Sequence, residues 1–358
     1  MHNRAYNFGA GPAMLPAEVI QKIQEDLFDW NGTGVSVMEI GHRTTQFQEL
    51  LTNLQAKLRQ LLAIPDNYKV ILTTGGAQGQ FDAIPLNLTK YNHEVDYLLS
   101  GTWSKKAANF AAKYATVNIV TTATNCAIPN ADTWKLNPKA AYAYYCPNET
   151  VDGLAFPTIP NVGAVPLIAD LTSSIAYAPC DYSQFGIAFA SAQKNLGIAG
   201  VTLVIIRDDL LEQYCPTTPV VWNYKLQAEQ NSSINTVPTF AIYVMDLMVE
   251  WLRAQGGVAQ IGIINHRKVA KLYDFIDSSD FYFNNIATAY RSPLNIPFNL
   301  AKNELLAQFL AEAEATGLKY LAGHISVGGA RASLYNAMPE AGVLKLINFM
   351  HEFAQRNR

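Results

Sequence analysis

Residues 165–197, VPLIADLTSSIAYAPCDYSQFGIAFASAQKNLG, hold two short apolar runs, Val165–Ala169 and Ile187–Ala190, each ending in a polar cluster. Apolar runs of this length, bounded by turn-forming residues, mark strands buried on both faces of a parallel sheet. The first run ends at Asp170; the second leads through Ser191, Ala192 and Gln193 to Lys194. Ligands of such sheets bind beyond the carboxyl ends of the strands. A carboxylate and an amine are thereby expected at one crevice.

Working outward, similar runs occur upstream at Lys69–Thr73, Asp96–Leu99, Val117–Thr121 and Ala141–Tyr145, and downstream at Thr202–Ile206. Helical spacing appears over 17–30, with Ile20, Ile23, Leu27 and Trp30 after Pro16. It appears again over 45–63, with Phe47, Leu51, Leu54, Leu58 and Leu62 ahead of Pro65. These patterns predict a large α/β domain over 17–252 with a mostly parallel central sheet. Beyond it, helical patterns at 258–277, 303–315 and 340–355 alternate with strand candidates at Asn295–Phe298 and Ser326–Val327. A second, smaller α+β domain is expected over 253–358, with 1–16 an N-terminal arm packing near it.

Composition narrows the function classes. The 358 residues include only 26 basic and 29 acidic side chains, or 15% charged, against roughly 25% in an ordinary soluble protein. Hydrophobic residues reach 49%, yet no apolar stretch is long enough to predict a membrane span. A net charge of −3 without a basic run argues against nucleic-acid binding. The start, MHNRAYNFGAGP, has no apolar leader segment, and Cys126, Cys146, Cys180 and Cys215 form no CxxC pair. Free thiols in a cytoplasmic protein are expected. The six histidines show no HExxH or HxH spacing, so no metal site is expected. The low charge leaves two options, an apolar outer surface or one buried against a partner.

The candidate chemistry follows the strand ends. After Thr73 comes Thr74-Gly75-Gly76-Ala77-Gln78-Gly79-Gln80, either an ordinary tight turn or a phosphate cradle at a helix N-terminus. Asp170 faces the crevice or caps a turn; Lys194 forms a Schiff base or reaches to solvent. Trp103, in Ser100-Gly101-Thr102-Trp103, is an aromatic plate for a ring or a packing residue. Taken together, these are the parts a pyridoxal 5'-phosphate site needs. They comprise a lysine for the aldehyde, a carboxylate for the ring nitrogen, backbone donors for the phosphate and a ring to stack.

Ordered segments along the whole chain carry a specific resemblance: NFGAGPAMLP (Asn7–Pro16), SVMEIGHR (Ser36–Arg43), GGAQGQF (Gly75–Phe81), YCPNETVDG (Tyr145–Gly153), AQKNLG (Ala192–Gly197), NTVPTF (Asn235–Phe240) and GGARASLYNAM (Gly328–Met338). The chain resembles the phosphoserine aminotransferase family of fold-type-I pyridoxal-phosphate enzymes. That resemblance implies that Lys194 carries the cofactor as a Schiff base and shuttles the Cα proton. By the same resemblance Asp170 pairs with the ring nitrogen, Trp103 stacks on the ring and Thr150 bonds the 3-oxygen. Ala77, Gln78 and Gln193 would hold the phosphate, joined by Asn235 and Thr236 of the neighbouring subunit, which implies a homodimer with two shared sites. Arg331 would hold the substrate α-carboxylate, and His42, Arg43 and His324 the distal phosphate or carboxylate. The implied reaction is transamination between phosphoserine/3-phosphohydroxypyruvate and glutamate/2-oxoglutarate in serine biosynthesis, with the phosphorylated threonine analogue of pyridoxine synthesis as a further substrate of some relatives.

Two positions depart from the family pattern. Ile325 stands where many members carry arginine after the histidine, and Gln78 stands where some carry arginine. Either His42, Arg43 and His324 suffice for the anionic end, or Lys105, Lys106 or Lys225 replace the lost charge. The departures motivate an alternative, an aminotransferase for an unphosphorylated amino acid. A nicotinamide dehydrogenase is disfavoured by the absence of GxGxxG, and a non-catalytic scaffold by the presence of both Lys194 and Asp170.

Overall fold

The computed structural model describes residues 4–357; residues 1–3 of the expected arm and residue 358 of the expected second domain lie outside the described residues. The chain opens on the strand β1 (Tyr6–Asn7) and the helices α1 (Ala17–Asp26) and α2 (Thr45–Leu62). Strands and helices then alternate: β2 (Tyr68–Thr74), α3 (Ala77–Leu88), β3 (Glu94–Leu99), α4 (Thr102–Ala111) and β4 (Thr116–Thr122). β5 (Ala143–Tyr145), β6 (Leu167–Asp170), β7 (Ile187–Ser191) and β8 (Val201–Arg207) complete a 7-stranded sheet in the order β2-β8-β7-β6-β5-β3-β4. Each expected apolar run overlaps one of these strands, its ends displaced by a residue or two.

β8 pairs antiparallel with both β2 and β7, while the remaining pairings are parallel. Every strand except β8 therefore runs the same way, and their carboxyl ends share one edge. Strand period two sorts the side chains onto two cores. Leu72, Tyr145, Ala169 and Ala190 face Leu51, Leu54 and Leu58 of α2. Ile71, Tyr144, Ile168 and Phe189 face Phe81 and Ile84 of α3 and Ala107 of α4. Each fully buried large apolar side chain stabilises this sandwich by about 1.5–3 kcal/mol.

Helix ends follow local chemistry. Thr44 caps α2 by accepting from the Phe47 N–H. The α2 C-terminus closes on Ala63 at φ 52°, and Arg59 reaches on to donate to the carbonyls of Pro65 (2.6 Å) and Tyr68 (2.7 Å). α1 stops at Asp26, short of the expected residue 30. Asp26 accepts there from Lys22 (2.9 Å) and Tyr243 (2.7 Å), and the chain then turns through Gly32 and Gly34, both at positive φ. Trp30 keeps its helical-looking spacing but packs from the turn, edge-on to Tyr243.

After the short α5 (Tyr224–Glu229) comes α6 (Thr239–Ala254), which the sequence reading left unassigned. It buries Ile242, Met245 and Val249 in the α2 core. α7 (Gly257–Asp277) places Val258 and Ile261 in that core and Val269 and Leu272 in another. The second core collects β9 (Tyr282–Phe283), β10 (Asn295–Leu300), α8 (Leu306–Ala315), β11 (Leu318–Lys319), β12 (Ala330–Ser333) and α9 (Glu340–Asn357). β12, β10 and β9 form an antiparallel sheet. β1 pairs with β11, and Phe8 is fully buried in the same core.

The expected strand at Ser326–Val327 is corrected. Those residues form an exposed turn, with the Val327 and Gly328 N–H groups both donating to the His324 carbonyl. The strand begins at Ala330, after Gly328 and Gly329 at φ 74° and 63°. Alternating Ile325 and Val327 imitate a strand, but Ile325 is 97% exposed and has no sheet to bury it.

Candidate active site

The shared carboxyl edge gathers the loops that follow the co-directional strands. One cavity there is lined by Ala77, Gln78, Trp103, Thr150, Asp170, Gln193 and Lys194, among others. Every cofactor residue expected from within a single chain thus meets at one place.

The Lys194 Nζ donates to Thr150 Oγ1 at 2.7 Å. The arm crosses behind it: Ala13 N–H donates to the Gln193 carbonyl (2.8 Å), and Tyr335 Oη donates to the Ala10 carbonyl (2.8 Å). A Cβ on Gly11, which sits at φ 143°, would lie 3.5 Å from Lys194 Cγ. A side chain there would be strained by its backbone angle and would touch the lysine stem at ordinary contact distance.

Asp170 ends β6 and is almost fully buried. Burial pushes its carboxyl above the ordinary carboxylate value; hydrogen bonds from Thr172 N–H (3.0 Å) and Tyr144 Oη (3.3 Å), with the nearby charge of Lys194, pull it back. A cationic N–H ligand beside this carboxylate would relieve its desolvation.

α3 begins at the cavity with Gly76 as its cap and no side chain on its first N–H groups. Gly75, at φ 103°, makes the turn that aims them, anchored by Thr202 Oγ1 donating to its carbonyl (2.9 Å). An uncapped helix N-terminus offers both free donors and a favourable dipole to an anion. Trp103 lies in the first turn of α4, and its buried Nε1 has no hydrogen-bond partner.

Arg331, on β12, is 9% exposed and donates from Nη1 to the Thr150 carbonyl at 3.2 Å. Its Nε has no partner, and among the described residues no carboxylate lies within ion-pair distance. Burial holds the guanidinium below its ordinary value. A buried cation in this state is set up to receive an anion.

The remaining expected residues lie apart from this cavity. Arg43 is exposed and donates from Nε to His42 Nε2 at 3.3 Å. His324 is exposed in its turn, with Nδ1 2.7 Å from Ser326 Oγ. Asn235 lines a separate groove with Thr74, Val221 and Ile234, and Thr236 is exposed. Of the candidate replacement cations, Lys225 is paired with Glu212 at 2.6 Å, Lys105 is exposed, and Lys106 stands 5.6 Å from the Trp103 ring centroid.

Sequence reasoning missed Asn148, Thr172 and Ser173, which line the same cavity. Asn148 is buried and donates to Ser173 Oγ (2.9 Å) and to Asn295 Oδ1 (2.8 Å) on β10, tying the two cores together at the site. Its place inside YCPNETVDG was the one available signal.

These groups fit pyridoxal 5'-phosphate on the structure's own terms. There is an amine on a hydroxyl, a buried carboxylate short of a cationic partner, a bare helix N-terminus for a phosphate and an indole beside them.

The aminotransferase class-V family model matches residues 5–346. A phosphoserine aminotransferase from Acinetobacter baumannii is 50% identical over 358 residues, covering 99% of each chain. The solved phosphoserine aminotransferase of Bacillus circulans subsp. alkalophilus superimposes with a TM-score of 0.96 at 38% identity, covering 99% of each chain. That of Trichomonas vaginalis, described as bound to pyridoxal phosphate, gives 0.94 at 39% identity over 97% of this chain and 100% of its own. The chain as a whole thus has full-length counterparts in sequence and in fold: it belongs to the class-V aminotransferases and, within them, to the phosphoserine aminotransferase family.

Proposed function

We propose that the chain is a pyridoxal-phosphate-dependent aminotransferase that exchanges an amino group between phosphoserine/3-phosphohydroxypyruvate and glutamate/2-oxoglutarate, a step of serine biosynthesis. The carrying observation is the Lys194 amine on Thr150, 2.7 Å away, with buried Asp170 at the neighbouring strand end. When bound, pyridoxal 5'-phosphate supplies an aldehyde carbon and an electron-accepting ring. Lys194 Nζ would hold the group through that carbon and, as a free amine, would take the proton from the substrate Cα and give it back in the exchange. Asp170 would accept from a ring N–H and favour its protonated state. Thr150 orients the amine; Trp103 would cover the ring, and the N–H groups of Ala77 and Gln78 with the Gln193 side chain would hold the phosphate. Arg331 holds the α-carboxylate common to both amino acids and both keto acids. Identity of 50% with a phosphoserine aminotransferase favours this substrate over the unphosphorylated alternative raised by Gln78 and Ile325.

The same reading makes the protein a cytoplasmic homodimer. Asn235 and Thr236 would act in the neighbour's site; their absence from the Lys194 cavity supports this. Phe28 (90%), Met38 (59%) and Val220 (59%) are large apolar side chains left exposed in the single chain, which burial against a second copy would cover; such burial also accounts for the low charge. Four free cysteines and the lack, among the described residues, of any helix long and apolar enough to cross a membrane support the compartment. The reading divides the chain into a cofactor domain (17–252) and a smaller domain (253–358) with 1–16 an arm against it, supported by the separate cores that α7 bridges. Activity on the phosphorylated threonine analogue of pyridoxine synthesis belongs to the same proposal. The test is kcat/KM for phosphoserine against serine, alanine and aspartate with 2-oxoglutarate as acceptor. Preference for phosphoserine is expected; activity on the unphosphorylated amino acids alone would replace the assigned substrate.

A further inference from the structure

We infer that Glu149 is a positioning residue that sets Trp103 against the face of the bound cofactor and Thr150 against Lys194. The inference rests on the reading above that pyridoxal 5'-phosphate occupies the cavity.

Glu149 stands between two cavity residues, Asn148 and Thr150, but its own side chain is absent from the lining and is fully buried behind it. Its carboxylate holds the first turn of α4. Oε2 accepts from the Trp103 N–H at 2.8 Å; Oε1 accepts from the Ser104 N–H (2.8 Å), Ser104 Oγ (2.6 Å) and Ser100 Oγ (3.3 Å). Among the described residues no cation pairs with it. The negative charge is met by donors and by the positive end of the α4 dipole, the arrangement that makes hydrogen bonds short and strong.

The fit is tight. A Cβ on Gly101 would lie 2.7 Å from Glu149 Cγ and 2.5 Å from Asp152 Oδ2. The chain between β3 and α4 is therefore drawn directly onto the carboxylate. Neighbouring Asp152 takes the next donor, the Thr102 N–H, at 2.8 Å, so the two acids share one helix end but not one task. Only Glu149 bonds the backbone of Trp103, and only Glu149 is adjacent to Thr150.

Thr150 accepts from Lys194 Nζ at its hydroxyl and from Arg331 Nη1 at its carbonyl. One peptide unit thus joins the α4 cap to the amine and to the guanidinium. Moving the Glu149 carboxylate moves the indole on one side and the Thr150 anchor on the other. Burial pushes the Glu149 carboxyl up to about 7, against the pull of the Ser104 and Trp103 donors. A charge costly to bury is held here by donors at the start of α4 and on Ser100 just before it.

The experiment uses the cofactor-loaded protein and reads its visible absorbance, its visible circular dichroism and the cofactor dissociation constant. Glu149→Gln presents an amide nitrogen to one set of donors. It is expected to shrink the dichroic band and weaken cofactor binding about tenfold, the loss of one hydrogen bond to a charged group. Asp152→Ala removes a cap of the same helix without touching Trp103. It is expected to lower Tm while leaving the band and the dissociation constant at wild-type values. If Glu149→Gln does not fold, Ser104→Ala keeps the carboxylate but removes one anchor, and a smaller loss of the band is expected. A wild-type band in Glu149→Gln overturns the inference, as do equal effects of Glu149→Gln and Asp152→Ala, or an unchanged band in Ser104→Ala where the first variant is unfolded. A wild-type protein with no visible band overturns the cofactor reading itself, a result distinct from these.

Discussion

Lys194 and Asp170 sit at the ends of adjacent buried strands; Lys194 donates to Thr150 on the loop after β5, and Asp170 accepts from the Thr172 N–H of its own loop and from Tyr144 Oη on β5. His324, by contrast, stands in an exposed turn beside Ile325, and among the described residues the Arg43 side chain bonds only its neighbour His42. The carboxyl edge of the large sheet gathers the lysine, the carboxylate and the bare α3 N-terminus within one chain. The segments at 41–43 and 324–327 hold no ligand-ready geometry of their own. Groups that move protons need fixed distances and a dry setting, which strand ends provide. Groups that read the far end of a substrate can be delivered by loops.

This contrast can be broken most severely at Lys194. Lys194→Ala is expected to reduce transamination by at least about 10³-fold, the scale of a lost general acid–base, measured by single-turnover conversion of phosphoserine. Wild-type turnover in that variant would end the proposed mechanism. Arg331→Lys keeps the charge but loses the planar fork. It is expected to raise KM for phosphoserine and for glutamate alike, with kcat/KM falling about tenfold or more. An effect on one substrate only would move Arg331 from the common carboxylate to the specificity side.

His324→Ala and Arg43→Ala sharpen the other half. Each is expected to lower kcat/KM for phosphoserine by about tenfold while leaving alanine turnover unchanged. Equal losses on both substrates would place these residues in the shared machinery. Lys106→Met tests whether the cation near Trp103 replaces the charge absent at Gln78; the same phosphoserine-selective loss is expected there.

The smallest effect is on stability. The Asp170 carboxyl is raised by burial in the protein without cofactor. A raised folded-state value means that ionisation costs stability at pH above the ordinary carboxylate range, and that this cost fades as pH falls through it. Asp170→Asn is therefore expected to raise Tm of the cofactor-free protein at neutral pH, with the gain shrinking in acid. A Tm difference independent of pH would contradict the burial argument.

The strand ends were legible because a two-sided sheet leaves continuous apolar runs that stop where chemistry starts; Asp170, Lys194 and the Gly75–Gln78 turn were found that way. α6 was not, although Asp246, Glu250 and Arg253 recur at helical spacing among its buried Met245, Met248 and Leu252. Ser326–Val327 misled because alternation around serine mimics a strand, while the glycines at 328 and 329 determine the backbone. Trp30 kept a helical spacing that a turn also satisfies. Asn148 and Glu149 act through partners far along the chain, Asn295 in one case and Trp103 in the other. Pairings of that separation leave no local pattern.

The most direct measurement is kcat/KM of the purified wild-type protein for phosphoserine and for serine, each with 2-oxoglutarate. A preference for phosphoserine of at least about tenfold, the worth of one charge-assisted contact, is expected. Equal values for the two amino acids would contradict the assigned substrate even if the cofactor chemistry stood.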